Sequence, residues 1–183
     1  AGLGGKFQLQ LEPNSDYLLK VSSKGMLASS TTVSTKGLTR NDTLHTTMRL
    51  SAVKIGEAIA IKNIYYDYDK WDIRPDASIE LDRIARLFID NPDMSFELGS
   101  HTDSRGGDLY NLVLSDARAN SAVNFLIQRG VDPDRITAKG YGEHVLVNKC
   151  ANGVKCTEED HQANRRTEFK VTGVGLTTVR SNP

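Results

Sequence analysis

Apolar and polar side chains alternate with a period of two in the first fifty residues. Apolar residues occupy every second position at Phe7, Leu9 and Leu11. A second alternating run begins at Tyr17, after the turn residues 13–16. Alternation bounded by turn residues is typical of short antiparallel strands. Serine, threonine and glycine then dominate residues 22–47. The pattern predicts an N-terminal β segment over residues 1–51 with a thin core and no helix.

From residue 52 the pattern changes to strands that alternate with helices. An apolar run over 58–66 predicts a strand, and Pro75 suits the first turn of a helix that ends at Asn91. Helical spacing of apolar residues supports this helix, at Leu81, Ile84, Ala85 and Phe88. A second helix with the same spacing ends before Gly130.

Three further alternating runs predict strands over 94–101, 135–139 and 166–171. The predicted order over residues 52–175 is therefore β-α-β-α-β-β. This order favours an α/β (α+β) sandwich, in which both helices cover one face of a mixed sheet. Residues 176–183 are interpreted as a C-terminal tail.

Composition narrows the classes of function. The 183 residues are 38% hydrophobic and 25% charged, as in an ordinary globular protein. The 23 basic and 23 acidic side chains cancel, so no overall positive field exists that would hold nucleic acid or an anionic membrane. No stretch approaches the roughly 20 apolar residues that cross a bilayer. The first residues show neither an initiator Met nor a signal peptide, so we expect a processed or excised piece.

The most informative polar residues lie where a predicted strand ends and a helix begins. Asp103 suits a cation, and Arg118 suits an anion such as a carboxylate. Ser115 is a suitable N-cap, and a helix that starts there would place Arg118 beside free backbone N–H groups. A helix continuous from Asp108 would instead carry Arg118 ~15 Å along its axis. A shared site therefore requires a break before Ser115.

If Asp103 and Arg118 meet, they form a receptor for an amino acid zwitterion. The same residue types fit a structural ion pair equally well. A calcium site has little support, because the acidic run from Asp67 to Asp76 lacks the glycine and glutamate of an EF-hand. His101 lies near Asp103, but no nucleophile elbow or His-Glu-x-x-His motif accompanies it. We predict no catalytic residue, no metal and no cofactor, and we expect His101 to hydrogen-bond the loop.

Cys150 and Cys156 are the two cysteines of the chain and lie in a polar stretch. Their closeness allows a small disulfide, a redox pair or half of a metal site. With His144 and His161 they could form a zinc site, although the usual close pairing of zinc cysteines is absent.

Five segments, in order, resemble the signatures of the OmpA/Pal C-terminal peptidoglycan-binding domain. They are residues 64–73, 101–118, 130–136, 140–143 and 164–168, and the match spans residues 55–173. The resemblance implies a non-enzymatic periplasmic module that binds the meso-diaminopimelate of the peptidoglycan stem peptide. Such a module would anchor an outer-membrane complex to the cell wall.

The resemblance also implies a set of binding residues. The ligand-binding positions are Tyr68, Asp69, Asp103, Arg105, Leu114 and Arg118, with Thr102 and Asn111 in support. Asp103 would accept from the ligand ammonium, Arg118 would bind its carboxylate, and Tyr68 with Leu114 would line its aliphatic part. Arg165 and Arg166 could reach the sugar or peptide, although structural ion pairing is the favoured interpretation. An oxidising compartment favours a disulfide between Cys150 and Cys156.

The segment that holds the cysteines resembles the form found in Bacteroidetes envelope proteins. Residues 5–22 resemble part of a carboxypeptidase-regulatory-like β-sandwich, and the combination is similar to a component of the type IX secretion system. The expected partners are peptidoglycan and other outer-membrane or secretion proteins, not nucleic acid. Membrane association, such as a lipoprotein anchor, would lie in parts outside this chain. Two alternatives stay open: an interaction module without wall binding, and a cell-wall amidase or peptidase that uses His101 and Asp103.

Overall fold

The computed structural model describes residues 5–40, 42–61, 64, 66 and 70–175. The chain divides into two compact units, Ala1–Ala52 and Val53–Pro183. Within the described residues, no helix has both the length and the apolar character required to cross a membrane.

The first unit consists of two small antiparallel pairs. Strand β1 (Asp16–Val21) pairs with β3 (Ser29–Ser34), and β2 (Met26–Leu27) pairs with β4 (Ser51–Ala52). The alternation from Tyr17 thus forms a strand, whereas the strand predicted over residues 7–11 is wrong. Phe7 and Leu9 are 47% and 58% exposed, because no neighbouring strand pairs with this segment.

Within its described residues, the second unit holds a four-stranded mixed sheet and three α-helices. Its elements are β5 (Ala58–Ile61), α1 (Pro75–Asp90), β6 (Met94–His101), α2 (Asp108–Gln128), β7 (Ile136–Gly142), α3 (Glu158–Asn164) and β8 (Thr167–Val174). The strand order is β5-β8-β6-β7, and only the β6–β7 pair is parallel. The predicted mixed α/β fold is confirmed. The first predicted strand is too long, since β5 ends at Ile61 and residues 64 and 66 lie outside it.

The core lies between the sheet and helices α1 and α2. Phe88 of α1 stacks on Phe96 of β6 with 3.8 Å between ring centroids, and it meets Phe169 of β8 edge-on. On the same face, Gly140 of β7 contacts the backbone of α2 at Asp116. The sheet therefore buries one face against both helices. Glu97 and Tyr141 lie on the opposite face, together with Lys170.

Helix α2 is unbroken from Asp108 to Gln128, so Ser115 is not an N-cap, and the break before Ser115 that a shared site was expected to require is absent. The Ser115 hydroxyl lies in mid-helix, where it donates to the Leu112 carbonyl and accepts from the Gly142 N–H at 2.8 Å. This serine therefore links α2 to β7 and does not cap the helix. The sequence shows no helical pattern in the first two turns of α2, because their apolar side chains, Leu109 and Val113 among them, are exposed.

The predicted order β-α-β-α-β-β has no helix where α3 lies, between the strands β7 and β8. Cys150 and Cys156 form a disulfide with 5.9 Å between their Cα atoms. Thr157 directly follows and forms a capping box with Asp160, which starts the helix. The sequence signal for α3 was this Thr-x-x-Asp spacing, a known start of a helix.

Candidate functional site

Asp103 lies in the loop that follows β6, and two arginines bind its carboxylate. Its side chain is 7% exposed, and Arg105 Nη2 lies 2.8 Å from Oδ2. The backbone N–H of Arg105 donates to Oδ1, and Arg165 Nη1 donates to Oδ2 at 2.5 Å. A ligand ammonium that approached Asp103 would therefore share the carboxylate with two guanidinium groups.

These hydrogen bonds make the stability of the second unit sensitive to acid. Burial of the carboxyl raises the pKa of Asp103, but the side chain and backbone of Arg105, with Arg165, outweigh burial and lower the pKa to about 2 from 3.8. The folded state thus prefers the ionised carboxylate, which contributes about 2 kcal/mol above pH 5 that is lost progressively as the pH falls toward 2. Denaturant unfolding, followed by fluorescence of the single tryptophan, Trp71, should show this loss.

Asp103→Asn is the control for this acid effect, because it removes the titrating group. The stability difference between wild type and Asp103→Asn should shrink by about 2 kcal/mol between pH 5 and pH 2. A difference that stays constant over this range would contradict the assignment.

Glu158 joins the same two arginines from the start of α3. Its carboxylate lies 2.9 Å from Arg105 Nη1 and 2.6 Å from Arg165 Nη2. The two guanidinium groups lower the pKa of Glu158, and Asp103 with Glu158 raises the pKa of Arg105. We call Asp103, Arg105, Glu158 and Arg165 the charge cluster. The four side chains of the cluster pair with one another. Glu158 is its solvent-facing carboxylate, with a side chain that is 62% exposed.

Arg118 of α2 is the third cation of the site and is only 7% exposed. Its Nε donates to the carbonyl of Lys70 at 3.1 Å, and its guanidinium lies over the ring of Tyr66, 4.8 Å from the centroid. Burial lowers the pKa of Arg118, while the nearby Tyr66 raises it. Within the part of the chain that the structure describes, no carboxylate forms an ion pair with Arg118. This buried cation can therefore accept a carboxylate from a ligand.

Arg118 reaches the site although α2 is continuous from Asp108. The helix runs back along β7, as the contact of Ser115 with Gly142 shows. Its side chains tilt toward the helix N-terminus, which is the end near Asp103. Arg118 therefore interacts electrostatically with Asp103. About 15 Å of helix lies between Asp108 and Arg118. This length does not separate Arg118 from Asp103, because α2 packs alongside the end of β6, the strand that precedes the loop of Asp103.

An open cleft lies beside the buried Arg118 and the partly buried Arg165. It is lined by Ile64, Tyr66, Ser100, His101, Arg118, Gln162, Arg165, Arg166 and Thr167. Hydroxyls, guanidinium groups and an aromatic ring thus converge on one concave surface. Such a surface suits a small ligand that carries both polar and aliphatic parts.

The remaining sequence-predicted residues differ in how they relate to the cleft. Tyr68 and Asp69 lie outside the described residues. Leu114 is half-buried one helical turn before Arg118, on the same face of α2. Asn111 donates to the carbonyl oxygens of Asp103 and Arg105, so its amide holds the loop backbone.

Thr102 and His101 are buried beneath the loop. The Thr102 hydroxyl has no hydrogen-bond partner in the described chain. The expected hydrogen bond from His101 to the loop is wrong, because the ring stacks on Tyr141 with 4.9 Å between centroids. Its Nε2 lies 3.1 Å from Glu168 Oε1, outside good hydrogen-bond geometry, and His101 lowers the pKa of Glu168.

Sequence reasoning missed Glu158 and treated Arg165 mainly as a structural partner on the last strand. Arg165 lies just before β8 and contacts Asp103, 62 residues earlier in the chain. No local pattern reports such a contact. The only available signal was the capping box, which would have placed Glu158 on the first turn of a helix next to the Asn-Arg-Arg segment.

The comparisons with known proteins agree with the fold. The model of the OmpA family matches residues 65–160. The chain is 37% identical to outer membrane porin F of Pseudomonas fluorescens over 60% of this chain and 32% of the relative. It is 33% identical to the peptidoglycan-associated lipoprotein of Rhizobium meliloti over 55% of this chain and 56% of the relative. The chain thus spans about a third to about a half of the length of these two relatives.

A solved structure gives a similar result. The cell wall anchor of the type VI secretion system from Pseudomonas aeruginosa is 25% identical, with a TM-score of 0.50. The match covers 62% of this chain and 78% of that protein.

Proposed function

Because this chain belongs to the OmpA family, we propose that its second unit binds peptidoglycan without cleaving it. The observation that carries the proposal is the open cleft lined by Arg118, a buried cation, and by Arg165, which binds the buried carboxylate of Asp103. The name of the Rhizobium relative, a peptidoglycan-associated lipoprotein, supports the same ligand.

The finer proposal names the part of peptidoglycan that binds. The free end of meso-diaminopimelate carries an ammonium and a carboxylate on one carbon. Arg118 would bind the carboxylate, and Asp103 would accept from the ammonium at the edge of the charge cluster. Leu114, on the face of α2 that carries Arg118, would contact the methylene chain. Tyr68 and Asp69 are proposed as further contacts on the sequence resemblance alone.

Sedimentation with purified sacculi tests the proposal. The protein should pellet with peptidoglycan, and a soluble stem peptide that contains diaminopimelate should compete it off. Release of soluble muropeptides from the sacculi would identify a hydrolase and contradict the non-enzymatic proposal. Failure to pellet would instead favour an interaction module without wall binding.

The names of two similar proteins bear on the cellular role. Porin F is named as an outer membrane protein, and the Pseudomonas aeruginosa structure is named as the wall anchor of a secretion system. We propose that this chain lies in the periplasm and links an outer-membrane complex to the wall. The type IX secretion system, the Bacteroidetes source and a lipid anchor in the parent protein rest on the sequence resemblance and on parts outside this chain.

A further inference from the structure

The segment that holds the disulfide fixes the position of Glu158 relative to the binding loop. The Ser104 hydroxyl, next to Asp103, donates to the carbonyl of Cys150 at 2.6 Å, and this contact is buried. Cys150 is covalently joined to Cys156, two residues before Glu158. The capping box of Thr157 then sets the first turn of α3. The backbone of Glu158 is thus fixed in position, although its carboxylate is exposed.

Glu158 changes the charge that a ligand meets at this site. Among the described residues, the charge cluster and Arg118 together hold three guanidinium groups, those of Arg105, Arg118 and Arg165, and two carboxylates, those of Asp103 and Glu158. Because Asp103 is buried and bound by both arginines of the charge cluster, Glu158 is the carboxylate that faces solvent. It binds the outer N–H groups of Arg105 and Arg165, which are the groups that a second carboxylate of a ligand would use.

We propose that Glu158 is a specificity-determining residue that weakens the binding of a ligand with a second carboxylate beside Arg105 and Arg165. The inference rests on the proposed function, since it concerns which stem peptides the site prefers. An approaching carboxylate must displace Glu158 or lie next to its negative charge. A neutral amide at the same position meets neither penalty. The site would therefore favour stem peptides in which the main-chain carboxylate of diaminopimelate is amidated, while Arg118 still binds the carboxylate at the free end.

The test compares two soluble stem peptides that end in meso-diaminopimelate, keep the ammonium and carboxylate of its free end, and differ only in whether its main-chain carboxylate is free or amidated. Calorimetric titration gives the ratio of their two dissociation constants. In Glu158→Gln, the free-acid peptide should gain about fivefold in affinity relative to the amidated one, as expected for one exposed charge interaction. The gain should fall when salt is raised.

Glu159→Gln is the matched control, because it makes the same charge change on the neighbouring residue, which is exposed. It should leave the ratio unchanged. An unchanged ratio in Glu158→Gln, or equal weakening of both peptides, would overturn the inference while leaving wall binding intact. Failure of the wild-type protein to bind either peptide would overturn the proposed function, and the inference with it.

Discussion

Replacing Asp103 by Asn should reduce binding to sacculi by about 30-fold or more, which corresponds to the lower end of the roughly 2 to 5 kcal/mol for breaking a buried charge pair. The substitution removes the acceptor for a ligand ammonium. It also leaves Arg105 and Arg165 without the carboxylate that orients both of them. The dissociation constant from sacculus sedimentation measures the effect, and a thermal melt verifies that the variant is folded.

Asp82→Asn is the matched control. Asp82 of α1 also pairs with an arginine at 2.7 Å, namely Arg129, which directly follows α2, but both side chains are about half exposed. Breaking an exposed pair costs about 1 kcal/mol of stability at most and should not change wall binding. The double variant Asp103→Ala/Arg118→Ala provides the decisive outcome. If it is folded and still pellets like the wild type, the proposed pocket is wrong.

Gly140→Ala should lower the free energy of unfolding by about 3 kcal/mol, the upper range for overpacking a well-packed contact. A Cβ at this position would lie 2.4 Å from the backbone nitrogen of Asp116 and 2.6 Å from its Cα. Backbone atoms cannot rotate away as a side chain can, so α2 must move off β7. Because α2 carries Arg118, wall binding should weaken as well. Urea unfolding and sacculus sedimentation measure the two effects.

Gly173→Ala in β8 tests whether any alanine in the sheet would do the same. The atom nearest to a Cβ at Gly173 is Ser95 Cβ, at 3.9 Å, which is an ordinary contact. Its effect should remain within about 0.5 kcal/mol. Equal destabilisation by both substitutions would show that the close approach of α2 to β7 is unimportant.

The sheet and α1 were predictable because their buried faces leave a clear period in the sequence. Phe96 and Leu98 alternate with polar residues along β6, and Phe88 completes the apolar stripe of α1. The start of α2 was not predictable in this way. Its first turns expose apolar side chains, so the helix is fixed there by backbone contacts with Gly140 and Gly142 rather than by a stripe.

The site could be predicted in its residue types but not in its connections. The order of motifs pointed to Asp103 and Arg118, whereas the partners of Asp103 come from distant parts of the chain. Arg165 and Glu158 approach the binding loop only because the disulfide and α3 fold back onto it. Contacts over more than fifty residues depend on tertiary structure, which single-sequence patterns do not encode.

The charge cluster is complete before any ligand arrives, and this has a consequence for how the domain would grip its target. Arg105 and Arg165 are already held by two carboxylates. A ligand would therefore meet preorganised side chains, and association would cost less conformational entropy than ordering free arginines. The residence time of a ligand would then depend on how fast its contacts with these prepositioned side chains break.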